Sequence, residues 1–432
     1  MNKKENIARP VEQNSTNTSR DLAMRLLHTK DFQFKDFAPD HVPGGYAILS
    51  HRWVHGQEIS YREMLDPVSD TNLKSKSGYD KIQCFCRLAA LERFHYAWID
   101  TCCINKDSSS ELSTAINSMF QWYRKAAKCY VYLKDIQFPS QFSQSEWFQR
   151  GWTLQELIAP DKVQFLTCNW QSLGYKKDPQ MAKRLSSITK IPEQGLRSRV
   201  EILLRDNSIA RKMSWASRRK TTESEDMAYC LMGLFNVNMD LRYGEGGKEA
   251  FSRLQQSIVG ISKDPSIFAW TIPLSIPGTR FGLLAPSVDC FANSHGIEVI
   301  YRENVRPPPF HMQNCDIVIT LDLRRLNDHH YIGYINCESR WIEDRSAIGP
   351  LAIYLTQRRI GAKHLQSPLD AWQRVGLYAL PSDIQRKLQT GLRAEQFPLE
   401  RAVTLSIAQR SFQGYLLPVP EQINFDNEMF SD

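Results

Sequence analysis

Three blocks in the first half of the chain constrain its fold most. They are Tyr-Ala-Ile-Leu-Ser-His-Arg-Trp at 46–53, Trp-Ile-Asp-Thr-Cys-Cys-Ile-Asn-Lys at 98–106 and Trp-Phe-Gln-Arg-Gly-Trp-Thr-Leu-Gln-Glu-Leu at 147–157. Each joins an apolar, strand-like run to polar residues that a hydrophobic core does not need. A doubly wound sheet presents a site in this way: the strand is buried and the chemistry lies just past its carboxyl end.

The pattern around the blocks alternates strand and helix. Residues 46–50 read as a strand running into Ser50-His51, and 78–94 as a helix whose apolar stripe is Ile82, Phe85, Leu88, Ala89 and Leu91. Strands follow at 96–99, 129–133 and 163–166, with helices at 110–125 and at 153–159, the last stopped by Pro160. This predicts an α/β domain with a largely parallel sheet and helices on both faces, over residues 21–175. Helical patterns at 181–190, 201–217, 226–235 and 248–261 predict a helical connector over 176–262. Strand-like runs at 267–270, 296–301, 315–323, 331–338 and 351–356 predict a β-rich domain over 263–432.

Composition narrows the function classes. Residues 1–20 are polar, lack the apolar stretch of a secretory signal and read as a disordered tail. No run approaches the roughly 18 apolar residues of a membrane span. The ten cysteines are scattered without a CxxC pair, which argues against a disulfide framework and a zinc site and for a reducing, cytoplasmic setting. The net charge is +7, but its densest clusters, Arg211-Lys212 and Arg218-Arg219-Lys220, are short. They could touch phosphate or anionic lipid, but a solvated face or helix end is the simpler reading, and no clear nucleic-acid surface is expected.

Several residues in the blocks have two readings. Ser50 and His51 suggest a nucleophile and its base, but neighbours on a strand point to opposite faces. Ser50 as a turn cap and His51 as a core histidine is the simpler reading, with His51 or Arg52 as a site wall. Asp100 ends a strand and either lines a crevice or caps loop N–H groups. Cys103 reads as a buried structural thiol. Trp53 and Trp152 sit where a ligand can stack, whereas Trp98 and Trp147 read as core anchors. Thr153 and Glu156 have capping-box spacing, which ties Glu156 to the backbone at Thr153. Left unbound, the same carboxylate is available for catalysis.

In these residues the chain resembles the fungal heterokaryon-incompatibility (HET) domain family. The three blocks look like its three motifs, in order and at suitable spacing. The likeness continues through 213–222, 226–235, 241–246, 266–270 and 282–286 and so covers roughly 44–290. Asn105, where an aspartate is common, and Glu146 are departures that leave the motif anchors in place. The resemblance implies a role in non-self recognition ending in regulated cell death, with an incompatibility partner protein and self-association. No Gly-x-x-x-x-Gly-Lys-Ser/Thr phosphate loop occurs, so assembly through a nucleotide-binding module is not expected of this stretch alone.

HET domains in turn look like TIR domains, which share a flavodoxin-like parallel sheet and in many cases use a glutamate in a Trp-Cys-x-x-Glu segment to cleave NAD. Trp152-Thr-Leu-Gln-Glu156 has that shape. Such cleavage releases neutral nicotinamide from a cationic ring and needs no general acid. One fixed carboxylate beside the oxocarbenium-like ribose suffices, with an aromatic face for the cation and an arginine for the pyrophosphate. The resemblance therefore implies Glu156 as the catalytic group, with Ser50, His51, Arg52, Trp53, Asp100, Arg150 and Trp152 as substrate-binding residues. NAD is then a substrate, and neither a resident cofactor nor a metal is expected.

Overall fold

A computed structural model describes residues 24–65, 73–271, 282–300, 309–313, 316–325, 330–339, 349–357, 372–379 and 400–408. The tail expected over 1–20 lies outside them. The chain divides into two compact units: the described residues to Gln137 together with Ala159–Leu173, and Phe138–Ile158 together with the described residues from Gly174 onward.

The first unit is built on a sheet of β1 (Met24–His28), β2 (Phe34–Phe37), β3 (Tyr46–His51), β4 (Tyr96–Trp98), β5 (Lys128–Tyr132), β6 (Val163–Leu166) and β7 (Ser172–Tyr175). Its order is β2-β1-β4-β3-β5-β6-β7. Strands β4, β3, β5 and β6 are mutually parallel, with Ile48 beside Trp98 and His51 beside Tyr132. β1 and β2 form an antiparallel edge against β4. All six residues of β3 are buried, as expected of a parallel strand covered on both faces.

Helices α1 (Tyr61–Leu65), α2 (Ser77–Leu91) and α3 (Ser109–Lys125) connect these strands. α2 buries Gly78, Lys81, Ile82, Phe85, Cys86 and Ala89, a stripe at helical spacing. Leu91, expected in that stripe, is 82% exposed. It lies two residues past Ala89, about 200° round the helix from the core. α3 starts at Ser108, whose hydroxyl accepts the Glu111 N–H, and buries Ala115, Ile116, Met119, Phe120, Trp122 and Tyr123. Trp98 meets Trp122 and Tyr123 edge-on at 5.7 and 5.8 Å.

The second unit carries α4 (Thr153–Ile158), α5 (Pro179–Thr189), α6 (Glu193–Arg197), α7 (Val200–Arg205), α8 (Ile209–Ser214), α9 (Asp226–Tyr229), α10 (Met232–Phe235) and α11 (Gly247–Ile261). The helix expected over 201–217 is split. Asn207 donates to the Leu203 carbonyl and Ser208 caps the next helix at Arg211 N–H, so a new start is set there. The strand expected at 267–270 is instead a 3₁₀ turn, Pro265–Phe268. Its residues are buried without alternation, and Asp264 caps it by accepting from the Ser266 N–H. Beyond it lies a second sheet of β8 (Ile297–Val299), β9 (Phe310–Gln313), β10 (Asp316–Arg325), β11 (His330–Ser339), β12 (Gly349–Gln357), β13 (Trp372–Ala379) and β14 (Glu400–Ala408). Its order is β8-β11-β12-β13-β14-β10-β9.

Candidate functional site

The first two blocks meet at the carboxyl ends of β3 and β4. His51 closes β3 with a fully buried ring. Its Nε2 lies 3.6 Å from Glu58 Oε2 and its Nδ1 3.8 Å from Asp100 Oδ1. Both distances exceed hydrogen-bond length, and neither ring nitrogen has a hydrogen-bond partner among the described residues. Burial, and then the Lys81 charge, push the imidazole below its ordinary value against the pull of Asp100 and Glu58. His51 is therefore neutral at pH 7.

Glu58 arrives on the loop after β3. It accepts the Val54 N–H at 2.8 Å and holds the buried Lys81 ammonium of α2 at 2.7 Å. Burial works against its charge, but His51 and Lys81 beside it hold its pKa at about 2. Gly78 permits this approach. Its N–H bonds the Gln57 carbonyl at 3.0 Å, and a Cβ there would fall 2.3 Å from that oxygen.

Trp53 stands over the opening, 41% exposed. Its Nε1 donates to Asp100 Oδ2 at 2.7 Å, and the Lys106 ammonium sits 3.6 Å above its ring, a cation–π contact. Trp53, Val54, His55, Gly56, Glu58, Ile59, Ser60, Thr101 and Lys106 enclose a cavity of about 190 Å³. Thr101 is buried, and its Oγ1 lacks a hydrogen-bond partner among the described residues.

The third block is tied into the second unit. Gly151 N–H bonds the Lys220 carbonyl at 2.9 Å, and a Cβ at Gly151 would fall 2.6 Å from Thr221 Cγ2. The Thr153 hydroxyl reaches the carbonyls of Trp147 and Arg150 at 2.7 and 2.9 Å and accepts from Arg219 Nη1 at 2.9 Å. The hydroxyl is thus engaged by groups outside the capping box read from the sequence. Arg219 also donates to the carbonyls of Arg150 and Trp215. Burial brings its pKa down to about 10, while Cys230 and Glu156 pull it up. Glu156 is itself only 6% exposed. The Trp152 indole donates to Asp226 Oδ2 at 2.9 Å, and the Tyr243 hydroxyl to Asp226 Oδ1 at 2.9 Å. Glu225 accepts the N–H groups of Gly244 and Gly246 at 2.8 and 2.9 Å, so the glycine-rich loop before α11 already holds an anion of its own chain.

Of the residues singled out from the sequence, His51, Trp53 and Asp100 come together in the first unit, and Arg150 and Trp152 are bonded within the second. Ser50 is buried and makes no hydrogen bond to the His51 ring, whose nitrogens have none. Arg52 is exposed. Cys103 is buried, its sulfur accepting from Ile99 N–H at 3.4 Å. In the basic clusters 211–212 and 218–220, Arg218 and Lys220 are exposed and Arg211 and Lys212 lie in the last turn of α8, in line with a solvated face or helix end, but three of the five side chains are also engaged within the fold. Arg211 pairs with Glu298 at 2.9 Å, Lys212 donates to the Leu204 carbonyl at 3.2 Å and Arg219 is buried. Sequence reasoning missed Glu58, Lys81, Thr101, Lys106, Arg219 and Asp226. One signal was legible: a lysine at 81, within the apolar stripe of α2, requires a buried partner.

Residues 46–137 match the profile of the family described as Heterokaryon incompatibility protein (HET). Over 251 residues the chain is 41% identical to Vegetative incompatibility protein HET-E-1 of Podospora anserina. That match takes in 55% of this chain but 17% of the relative, so the chain spans only a small part of the curated protein. No solved structure gives a significant match. Both blocks that build the crevice fall within the matched residues, and it is over residues 46–137 that the chain carries the match to the heterokaryon-incompatibility (HET) family.

Proposed function

We propose that the chain acts in fungal vegetative incompatibility, as a cytoplasmic module of non-self recognition whose engagement leads to regulated cell death. The support is its 41% identity over 251 residues to a vegetative incompatibility protein. Within that role, the geometry favours a signalling and self-association module over an enzyme. One observation carries this reading: Glu156 lies only 6% exposed in the second unit, within reach of the charge of the buried Arg219. The output is then assembly, with further copies of the chain and an incompatibility partner protein as partners and recruited effectors carrying out the killing.

TIR-like hydrolysis of NAD is the second reading. It is favoured by the parallel order β4-β3-β5-β6, which is the second-first-third-fourth order of a flavodoxin-like sheet. Glu156 would stabilise the oxocarbenium-like ribose electrostatically, with Trp152 as the aromatic face and Arg150 near the pyrophosphate.

The deciding experiment incubates the purified chain with NAD at protein concentrations high enough for assembly and follows nicotinamide release. Release that disappears in Glu156→Gln, at unchanged melting temperature, establishes hydrolysis. No release from a demonstrably oligomeric sample establishes the assembly reading.

A further inference from the structure

The crevice of the first unit holds polar groups that the fold leaves unused. We propose that it binds a small phosphate ester, with phosphoryl oxygens between the Lys106 ammonium and the Thr101 hydroxyl and the flat remainder of the ligand against Trp53. Thr101 is 2% exposed and lines the cavity, yet its Oγ1 has no hydrogen-bond partner among the described residues. A hydroxyl in that condition is destabilising unless something supplies an oxygen or a donor. Lys106 lines the same cavity. Among the described residues its ammonium has the Trp53 ring at 3.6 Å as a contact and no hydrogen-bonding acceptor. It is already in place, because the indole beneath it is fixed by Asp100 at 2.7 Å. An ammonium held as a point charge in one cavity with an unpaired hydroxyl suits a phosphate.

The walls agree with an anion. Glu58 is the carboxylate lining the cavity, and its charge is offset by Lys81 at 2.7 Å and by the Val54 N–H at 2.8 Å. Asp100, behind the indole, accepts the Trp53 N–H and acts on Lys106 only through its charge, and His51 is neutral. Gly56, at φ +70° with open space where a Cβ would stand, turns the loop around the cavity. The volume, about 190 Å³, is below the roughly 300–1,000 Å³ of a pocket for a whole drug-sized ligand. It suits a phosphoryl group and part of its sugar, with the exposed Trp53 face left for a base outside. The location is also where α/β sheets place ligands, beyond the carboxyl ends of parallel strands. The site uses neither Glu156 nor its neighbours, so it stands or falls separately from NAD hydrolysis.

The test is isothermal titration of the whole chain with inorganic phosphate and with adenosine monophosphate. Both are expected to bind once per chain, the nucleotide about tenfold more tightly through stacking on the indole. Lys106→Met should weaken nucleotide binding by about tenfold or more, with the melting temperature unchanged or raised because an ammonium without an acceptor has been removed. Thr101→Val keeps the shape, should weaken binding several-fold, and carries the test if Lys106→Met fails to fold. Absence of binding by folded wild-type protein, or nucleotide binding that both variants leave unchanged, overturns the proposal.

Discussion

The crevice of the first unit and the tie of the second are made from the same residue types: a tryptophan, a carboxylate and a buried cation. They differ in what is left over. Around the third block, Thr153, Arg219, Trp152 and Asp226 have their polar groups bonded to one another or to carbonyls, and the amide nitrogen of Gln155 and the indole of Trp215 are buried without a hydrogen bond among the described residues. At the crevice, His51, Thr101 and one oxygen of Asp100 are buried without hydrogen bonds among the described residues. Native proteins pair nearly all buried polar groups, so three exceptions gathered at one cavity point to a ligand, whereas a network whose members mostly answer one another points to architecture. A sequence motif does not reveal which of the two it encodes.

If the third block is architecture, removing its centre should cost the most. Arg219→Met takes away the guanidinium that joins Thr153, the Arg150 and Trp215 carbonyls and the charge of Glu156. Each buried acceptor left without its donor costs about 1–3 kcal/mol. Urea unfolding should show a loss of that size. A loss below about 1 kcal/mol would mean that the network is not holding the unit together and would restore Glu156 as a group kept for chemistry.

The crevice should show itself in acid. Glu58 has a folded pKa of about 2 against an ordinary 4.5. Its contribution is therefore complete above pH 4.5 and is lost as pH falls from 4.5 toward 2. At about 1.4 kcal/mol per unit, the upper limit is about 3 kcal/mol, reduced because burial also lowers the Lys81 pKa. His51 acts in the same direction at higher pH. Its folded value is depressed, so the unfolded chain takes up the proton first and stability begins to fall as pH drops below 6.5. Unfolding midpoints measured from pH 8 to 3 should show both steps in wild type, and only the lower one in His51→Gln.

Much of this architecture was legible and much of the chemistry was not. The strands at 46–51, 96–98 and 163–166 and the helices at 77–91 and 109–125 follow from apolar runs and helical periodicity, which are local. The antiparallel edge β1–β2 was missed, because short edge strands with exposed residues such as Lys35 and Asp36 carry little pattern. Lys81 and Glu58 are 23 residues apart and Thr153 and Arg219 are 66 apart. Such pairings exist only after the chain has folded, and nothing in either neighbourhood announces the other. Glu156 illustrates the difficulty: the helix begins at Thr153 and leaves out Trp152, and the buried Arg219 whose charge Glu156 feels lies in a segment that the sequence marks only as a short basic cluster.

Gly151→Ala probes the tie more gently. The added methyl meets Thr221 Cγ2 at 2.6 Å and Cys230 Sγ at 3.1 Å, neither of which is the end of a long flexible side chain. Overpacking of this kind costs about 1–3 kcal/mol. A melting temperature equal to wild type would show that the 220–230 segment can yield, and so that the third block is less firmly held than the crevice comparison requires.

The smallest effect is expected at Asp226, where two terms oppose each other. Burial raises the pKa of this carboxyl, against the hydrogen bonds from Trp152 and Tyr243. A carboxyl whose folded pKa is raised binds its proton more readily in the native state, so its ionisation subtracts from stability as pH rises through the folded value. Asp226→Asn removes that penalty and keeps an oxygen to accept the Trp152 indole, while its amide nitrogen donates to the Tyr243 hydroxyl, so two charge-assisted bonds become neutral ones, at about 0.5–1.5 kcal/mol. The net change at pH 7 should therefore lie within about 1 kcal/mol, and the variant should lose stability relative to wild type as pH is lowered through the folded value. A variant that is uniformly less stable at every pH would show that hydrogen-bond geometry alone, and not the buried charge, sets the worth of this contact.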